Sequence, residues 1–451
     1  MLKRIYPLLY VLVAGALVTA AYALRSAAKD TVVILPLTFT TVYYGFRTIM
    51  ALLLFVFFVI LVIRHVILLL FSFADQIERA LDERRRRKRT TPPFCPPVSI
   101  IAPAFNEGPC IEASIRSLVA LDYPRYEVIV VDDGSSDDTL ERARKLEGEY
   151  GNATVVVLWK PNGGKASALN WGIQRATSDF VMTMDSDSVL RKDTLREAVK
   201  YFEDAAVGAV AGSVAVVNHG VSFWSKLQHL EYIKGLNFVR RAQGFLRAVS
   251  IVPGPIGLFR RSAIAKVGYY AEDTFAEDCD LTLKLLLAGW KICYEPLAEA
   301  QTEAPEELIP LIKQRYRWTR GILQAIRKHR LSLLGIRTPI IATIMLWYMV
   351  FEALVWPVMT GVSVVFIVLS GADAAIRPAA AFFWIMLLLL ELSTTLYCIT
   401  IEERPFRLLA YAPVERLVFS LLLDVCRILA SMEEFLGLRM SWGKLDRKGR
   451  T

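Results

Sequence analysis

The sequence predicts an α/β domain, built on a mixed, mostly parallel sheet and set between α-helical transmembrane segments. Three observations point there. Of the 451 residues, 54% are hydrophobic, too many for an ordinary soluble domain, yet 22% are charged. The apolar residues gather in long runs toward either end of the sequence. Between those runs, short β-branched stretches alternate with helical patterns, the signature of strands crossing over through helices.

Taken in order, Ile5–Leu24 holds 20 residues without a charge. That is enough to cross about 30 Å of hydrocarbon at about 1.5 Å per residue. Lys3 and Arg4 precede it and "AAYA" stands near its end, so the run reads either as a span or as a cleaved signal peptide. A second apolar run, Thr48–Ile63, extends to Phe73. "RRRRKR" comes next at Arg84–Arg89 and supplies part of the net charge of +9. Clustered basic residues beside a span stay cytoplasmic. Residues 1–89 are therefore read as two spans and a basic juxtamembrane run, and the domain after residue 89 is expected in the cytosol. No aromatic residue interleaves with the basic run, so nucleic acid is not an expected partner.

From residue 90 to 306 the texture changes. "TPPFCPP" is unsuited to a helix interior. "VSIIAPAFNE", "EVIVVDDGSSDD", "TVVVLW" and "FVMTMDSDS" each open with a short run typical of a buried strand. "CIEASIRSLVAL" and "DTLERARKLEGEY" read as helices between them. In sheets of this kind, ligands bind at the C-terminal strand ends. Those ends are Asn106-Glu107, Asp132-Asp133 and Asp185-Ser186-Asp187. The six cysteines form no CxxC and no zinc spacing, and those from Cys95 to Cys293 read as reduced cytosolic thiols.

Residues 307–337 are expected to be interfacial helices, and 338–451 two to four further spans with a basic tail. Ile340–Leu369 is long for one span and short for two, whereas Ala379–Thr400 is a clean span. Leu408–Leu436 is apolar but carries Glu415, Arg416, Asp424, Arg427, Glu433 and Glu434. It fits either a span facing a protein interior or an amphipathic helix in the interface.

Four motifs carry chemistry. Asp132 and Asp133, at a strand end before Gly134, are placed to accept hydrogen bonds from a nucleobase or ribose, though an Asx turn accounts for them as well. Asp185 and Asp187 stand two apart on a strand end and so face one way. Two carboxylates so placed suit a hard divalent cation, Mg²⁺ or Mn²⁺, bridging to a diphosphate. "PNGGKASALNWG" offers close backbone approach and a cation, Lys165; a glycine turn with a solvated lysine is the plainer account. "QRYRW" puts Gln314, Arg317 and Trp318 on one helix face. Arg317 suits a diphosphate, and Trp318 offers a platform for a sugar ring.

Together these motifs resemble glycosyltransferase family 2, in the membrane-integrated processive branch that includes cellulose, hyaluronan, chitin-oligosaccharide and bacterial poly-N-acetylglucosamine synthases. That branch carries D, DxD, (T)ED and Q(Q/R)xRW in this order. The chain shows "DDG", "DSD", "AED" and "QRYRW". The resemblance covers roughly residues 95–330, and "VPGPIGLFRRSAIAKVGYY" is most similar to the poly-N-acetylglucosamine synthases. Ala276 departs from the usual threonine before the acidic pair.

The resemblance implies a GT-A-type fold, a metal-dependent inverting hexosyltransferase and a nucleotide-sugar donor, UDP-N-acetylglucosamine being the first expectation. It makes Asp278 the catalytic base, with Glu277 beside it. Asn106, Glu107, Asp132, Asp133, Lys165, Asp185, Gln314 and Arg317 would bind the nucleotide sugar. Gly254 and Trp318 would meet the acceptor, and Asp185 with Asp187 would hold Mg²⁺ or Mn²⁺. Asp280 fits a helix N-terminus without any catalytic role. The expected product is a β-linked polysaccharide exported across the plasma membrane by a multi-pass protein, with Glu352, Glu391 and Asp424 as candidates to line the path. The partners implied are the UDP-sugar, the growing polysaccharide, the lipid bilayer and, optionally, a small membrane subunit. Three rivals stand beside this reading: a single-addition glycolipid synthase similar to ceramide glucosyltransferases, a catalytically silent export subunit, and a transporter.

Overall fold

The structure is a computed structural model that describes residues 37–438, apart from 89, 91, 186–187 and 371–376. The run Ile5–Leu24, Asp187 and the basic tail lie outside the described residues. The first helix, α1, is Leu37–Arg87 and ends in four arginines. The chain then runs through β1 (Val98–Ala104), α2 (Ile111–Val119), β2 (Tyr126–Asp132), α3 (Thr139–Arg144), β3 (Gly148–Tyr150) and β4 (Ala153–Trp159). Next come α4 (Lys165–Arg175), β5 (Phe180–Thr183), β6 (Val189–Leu190), α5 (Thr194–Val199), β7 (Val207–Val216), α6 (Phe223–Glu231) and α7 (Val239–Phe245). After these lie β8 (Gly257–Arg260), α8 (Arg261–Lys266), α9 (Glu277–Leu287), β9 (Lys291–Thr302) and α10 (Leu308–Lys328). The last helices are α11 (Ile340–Val350), α12 (Trp356–Ser370), α13 (Arg377–Ile401) and α14 (Ser420–Phe435). Wider π-turns at Tyr232–Phe238 and Phe351–Val355 join α6 to α7 and α11 to α12.

The nine strands form one sheet in the order β3-β4-β2-β1-β5-β8-β7-β9-β6. β4, β2, β1 and β5 run parallel, as do β7 and β9. The intervening β8 and the outer β3 and β6 are antiparallel. The expected mixed, mostly parallel sheet is therefore present. Alternate residues of a strand face opposite sides, and the buried residues sort accordingly. Ile100, Ala102, Val128 and Val130 pack with Ile111, Ile115 and Leu118 of α2 and Leu195 of α5. Ile101, Ile129 and Val131 pack on the other face with Leu169 and Ile173 of α4, Ile264 of α8 and Leu281 and Leu285 of α9. Helices on both faces explain why these strands read as continuous apolar runs.

"DTLERARKLEGEY" departs from its predicted helix. Only Thr139–Arg144 is helical; Gly148–Tyr150 pairs antiparallel with β4. Gly148 leaves the helical region with a φ of 143°, and Gly151, with a φ of 62°, makes the tight reversal into β4.

Among the described residues, three helical stretches are long and apolar enough to cross a membrane: Thr48–Arg87, Ile340–Phe366 and Ala381–Ile401. Leu408–Leu436 is not one of them. Its α14 buries Leu423, Asp424, Cys426, Ala430 and Glu434, and Glu434 accepts from Arg320 of α10 at 2.9 Å. Of the described residues, those in Met1–Arg64 and Val358–Glu391 form one compact unit, in which Met50 and Leu54 pack on Phe366. Those in His65–Pro357 and Leu392–Thr451 form the second.

Within the second unit, two contacts fix the frame around the sheet. Glu295 of β9 is 1% exposed and meets Arg79 of α1 at 3.0 Å and Lys200 at 2.9 Å. Burial pulls its pKa up, but the two cations outweigh burial and hold it below the usual range. Gly321 of α10 lies against the start of α9, where a Cβ would stand 2.6 Å from Ala276 Cβ and 2.7 Å from Ala276 N. Glu295→Leu should cost about 1.5–3 kcal/mol by removing charge-assisted hydrogen bonds from Arg79 and Lys200, which keep Asp75 and Glu197 as partners, seen as a lower thermal midpoint in detergent. Loss of the exposed Lys145–Glu141 pair should leave that midpoint unchanged. Gly321→Ala should cost roughly 1–3 kcal/mol, because backbone atoms cannot give way to the added methyl, and should reduce activity by moving α10 off α9.

Candidate active site

Parallel strands release their chains at one edge, and the site is built there. β1, β2 and β4 are in register at Ala104, Asp132 and Trp159. At the end of β2, Asp133 is buried and spends both oxygens on a loop. Oδ1 accepts from Lys160 Nζ at 2.6 Å and Gly163 N at 3.0 Å, and Oδ2 from Gly164 N at 2.7 Å. That carboxylate fixes the "PNGGK" turn and so places Lys165, the first residue of α4.

Lys165 Nζ reaches Asp185 Oδ1, two residues past the end of β5, at 2.7 Å and Glu277 Oε1, the first residue of α9, at 2.8 Å. One ammonium thus joins acids that are far apart in the chain. Burial alone would lower the lysine pKa, but Asp185, Glu277 and Asp278 outweigh it and raise it well above the ordinary value. It stays charged.

Asp278 comes directly after Glu277 in the first turn of α9. Its Oδ2 accepts from Gly254 N at 3.2 Å and its Oδ1 from Cys279 N at 2.8 Å. Burial raises its pKa most and the Glu277 charge adds to this, with Lys165 opposing; the result is about 6. Gly254 must be small, since a Cβ there would stand 2.9 Å from Lys165 Nζ and 3.3 Å from Asp185 Oδ2. Asp280 behaves oppositely. It is fully buried, and burial pulls it up, but the His329 hydrogen bond at 2.8 Å and the charges of Lys284 and Lys328 hold it low. It pins α9 to the end of α10, matching the structural account of that residue.

The helix α10 supplies the opposite wall. Its Arg315 guanidinium lies 4.1 Å from the Trp318 ring centre, and it donates to Gln314 Oε1 at 2.9 Å and to Glu231 at 2.6 Å. Arg315 therefore orients both Gln314 and Trp318. A cavity of about 220 Å³ is lined by Lys165, Asp185, Gly254, Glu277, Asp278, Gln314, Arg317 and Trp318, with Tyr232, Arg240, Phe275 and Glu303. Eight of the sequence-predicted site residues thus meet around one space.

Asn106, Glu107, Asp132 and Asp133 do not line that cavity. They lie at the ends of β1 and β2, where Asn106 accepts from Ser136 N at 2.8 Å and Glu107 N donates to Thr139 Oγ1 at 2.8 Å. Asp132 is fully buried. Its Oδ1 accepts from Ser135 N at 3.1 Å, and its Oδ2 has no hydrogen-bond partner among the described residues. Lys160, Tyr232, Arg240, Glu303 and Arg315 were not foreseen. Only Arg315 left a signal, its spacing of three from Trp318 on a helix. Among the described residues no three His, Cys, Asp or Glu side chains gather as a metal site.

A family model described as "Glycosyltransferase like family 2" matches residues 96–321. Over 225 residues the chain is 36% identical to a poly-β-1,6-N-acetyl-D-glucosamine synthase of Staphylococcus aureus, covering 50% of this chain and 54% of the relative. A synthase of the same name from Staphylococcus epidermidis is 33% identical with the same coverage. The chain spans about half the length of the curated relatives it matches. Among solved structures, the mannosyltransferase PcManGT from Pyrobaculum calidifontis, in complex with GDP-Man and Mn²⁺, aligns with a TM-score of 0.55 at 22% identity. The alignment covers 83% of this chain and 99% of that one, and the shared fold is of GT-A type. With half of its length matched by the family model, the chain belongs to glycosyltransferase family 2.

Proposed function

We propose that the protein is an inverting, processive hexosyltransferase that polymerises sugar from UDP-N-acetylglucosamine into a β-linked polysaccharide and exports it across the plasma membrane. The observation that carries this reading is the convergence of Lys165, Asp185, Asp278, Arg317 and Trp318, drawn from four separate stretches, on one cavity. The names of the matched relatives favour the donor and product. The three apolar helices and the arginines closing α1 favour a multi-pass protein with its catalytic domain in the cytosol.

The chemistry assigned is a single displacement. The acceptor hydroxyl oxygen bonds to the anomeric carbon of the donor as the bond from that carbon to the diphosphate oxygen breaks. Asp278 takes the hydroxyl proton. A carboxylate with a pKa near 6 suits that work, being ionised at neutral pH yet more basic than an exposed aspartate. Arg317 faces the departing diphosphate, whose charge grows in the transition state. The β2 end at Asp132 is assigned to the nucleobase side of the donor. Asn106, Glu107 and Asp133 shape the loops around it.

The site fits a hard divalent cation. Asp185 and Glu277 already converge on one positive centre, and oxygen donors suit Mg²⁺ or Mn²⁺. Asp185 and Asp187 would hold the ion, which when bound supplies counter-charge to the diphosphate.

Asp278→Asn should lower sugar transfer by on the order of 10²–10⁴-fold while UDP binding, read by calorimetry, persists; full transfer by this variant removes Asp278 from the base role. The parent's kcat/KM should fall as pH drops through about 6, because the base must be ionised. An acid limb near pH 4 would place the base elsewhere. Asp185→Asn should lose the Mn²⁺-dependent part of UDP binding, and equal affinity with and without Mn²⁺ in the parent would discard the metal.

A further inference from the structure

Residues 250–254 form a loop that ends at the acid assigned as base. Gly254 N donates to Asp278 Oδ2 at 3.2 Å, and the surrounding "VPGP" makes that bond depend on where the loop sits. Proline has no N–H, so of Pro253, Gly254 and Pro255 only Gly254 can donate. Proline also holds its φ at roughly −65°, which leaves few free torsions between Val252 and Gly254. Pro253 O accepts from Ile256 N at 3.1 Å, closing a turn with Gly254 and Pro255 at its centre. Where Val252 is fixed, the Gly254 N–H is fixed with it.

Two side chains hold this loop. Gln243 Oε1, on α7, accepts from Ser250 N and Ser250 Oγ, each at 3.1 Å. Two residues further on, Val252 N donates to Thr282 Oγ1 at 3.0 Å. Thr282 belongs to α9, four residues after Asp278 and so on the same side of the helix. Its hydroxyl donates in turn to Asp278 O at 2.6 Å. A hydroxyl has one proton and two lone pairs. With the proton spent on Asp278 O, a lone pair is left for Val252 N. Thr282 has no exposed surface and lies behind the cavity wall, so it cannot touch substrate.

The Asp278 carboxylate needs a hold of this kind. Its Oδ1 takes Cys279 N of its own helix, and that bond alone leaves a broad torsion about χ2. Gly254 N arrives from another part of the fold and supplies the second point. Thr282 therefore touches the backbone of Asp278 on one side and the loop that steers its carboxylate on the other.

We propose that Thr282 is a positioning residue for sugar transfer: through Val252 it sets the Gly254 N–H that aligns the Asp278 carboxylate in the cavity. The proposal rests on the reading of Asp278 as the base. A role in packing alone gives a different expectation, because threonine carries both a methyl and a hydroxyl. Thr282→Val keeps the shape and loses the hydroxyl, whereas Thr282→Ser loses the methyl and keeps the hydroxyl.

The test uses the full chain in detergent with UDP-N-acetylglucosamine as donor. kcat is taken per UDP-binding site, counted by calorimetry, so a partly unfolded preparation still reports. Thr282→Val should lower kcat on the order of 10–100-fold, the cost of displacing a reacting group by up to about 1 Å, with KM for the donor and UDP affinity kept. Thr282→Ser should restore kcat, even though the lost methyl lowers its thermal midpoint. Placed on Asp278→Asn, Thr282→Val should cost nothing further, because residues that act as a unit are not additive. Three results overturn the role: the parent's kcat in Thr282→Val, equal losses in Thr282→Val and Thr282→Ser, or additive losses in the double variant. Should Thr282→Val yield no UDP-binding protein, Thr282→Cys takes its place with the same outcomes, being similar in shape with a thiol that is only a weak acceptor. No transfer by the parent, or full transfer by Asp278→Asn alone, instead defeats the reading of the site; the three results above leave that reading standing.

Discussion

Asp185, Glu277 and Asp278 reach one end of the sheet from two distant parts of the chain, and without a cation they would repel. Lys165 sits between two of them. Its place depends in turn on Asp133, which ties down Gly163 and Gly164 just before it. The order of cause runs from β2 to the glycine loop, to the lysine, and then to the acids of β5 and α9. Lys160 closes the sequence of contacts by balancing Asp133 inside the protein. A buried carboxylate with one cation and two backbone donors is well satisfied, so the loop has little reason to move. Rigid placement of one ammonium is what lets the acids share one small cavity.

The acids of α9 show how environment, not residue type, decides a role. Asp278 and Asp280 are two residues apart on one helical turn. Burial pushes both upward, but Asp280 meets His329, Lys284 and Lys328 and ends low. Asp278 has the Glu277 charge beside it and ends high. Divergent neighbours of this kind separate a proton acceptor from a structural anion. The sign has a cost. Since its pKa is raised from 3.8 to about 6, ionising Asp278 weakens the fold above pH about 6, and that loss is relieved as pH falls toward 3.8. Asp280 works the other way, contributing stability above the unfolded carboxylate range and losing it on acidification. The fold is stabilised at one end of the turn and strained electrostatically at the other.

Much of this was legible in the residues. Strand ends rich in Asp, a glycine turn before a lysine, and a helix with Gln, Arg and Trp on one face are local signals, and the topology of a parallel sheet brings them together. The legible part stops where burial inverts a residue's habit. Arginine and glutamine are seldom buried, so "RRAQG" carries no signal of an interior position, yet Arg240 and Gln243 are nearly sealed from solvent. Asp133 was foreseen at the right edge, but its contacts with Lys160, Gly163 and Gly164 span some thirty residues and have no sequence pattern. The hairpin at Gly148–Tyr150 was hidden because charged residues continue the helical pattern past Arg144, where the chain instead turns through Gly148 and Gly151, both at positive φ.

The helix α10 shows why the site needs more than the α/β domain alone. One side carries Gln314, Arg317 and Trp318 to the cleft. Gly321 presses on Ala276 at the start of α9, and Leu323 and Ile326 pack with Leu346 and Met349 of α11. Arg320 holds Glu434 of α14, and Tyr316 donates to Glu433. The wall of the active site is thus clamped between the sheet domain and an apolar helix. An excised sheet domain ending before Leu308 would keep Lys165, Asp185 and Asp278 but lose Gln314, Arg317 and Trp318 from the cavity wall. It would also bare the surface of α9 around Cys279 and Leu283, which α10 and α11 now cover. Burial is the largest cause that raises Asp278, so water admitted there would return it toward an ordinary, less basic carboxylate. The helices α10 and α11 therefore set the basicity of Asp278 as well as its position.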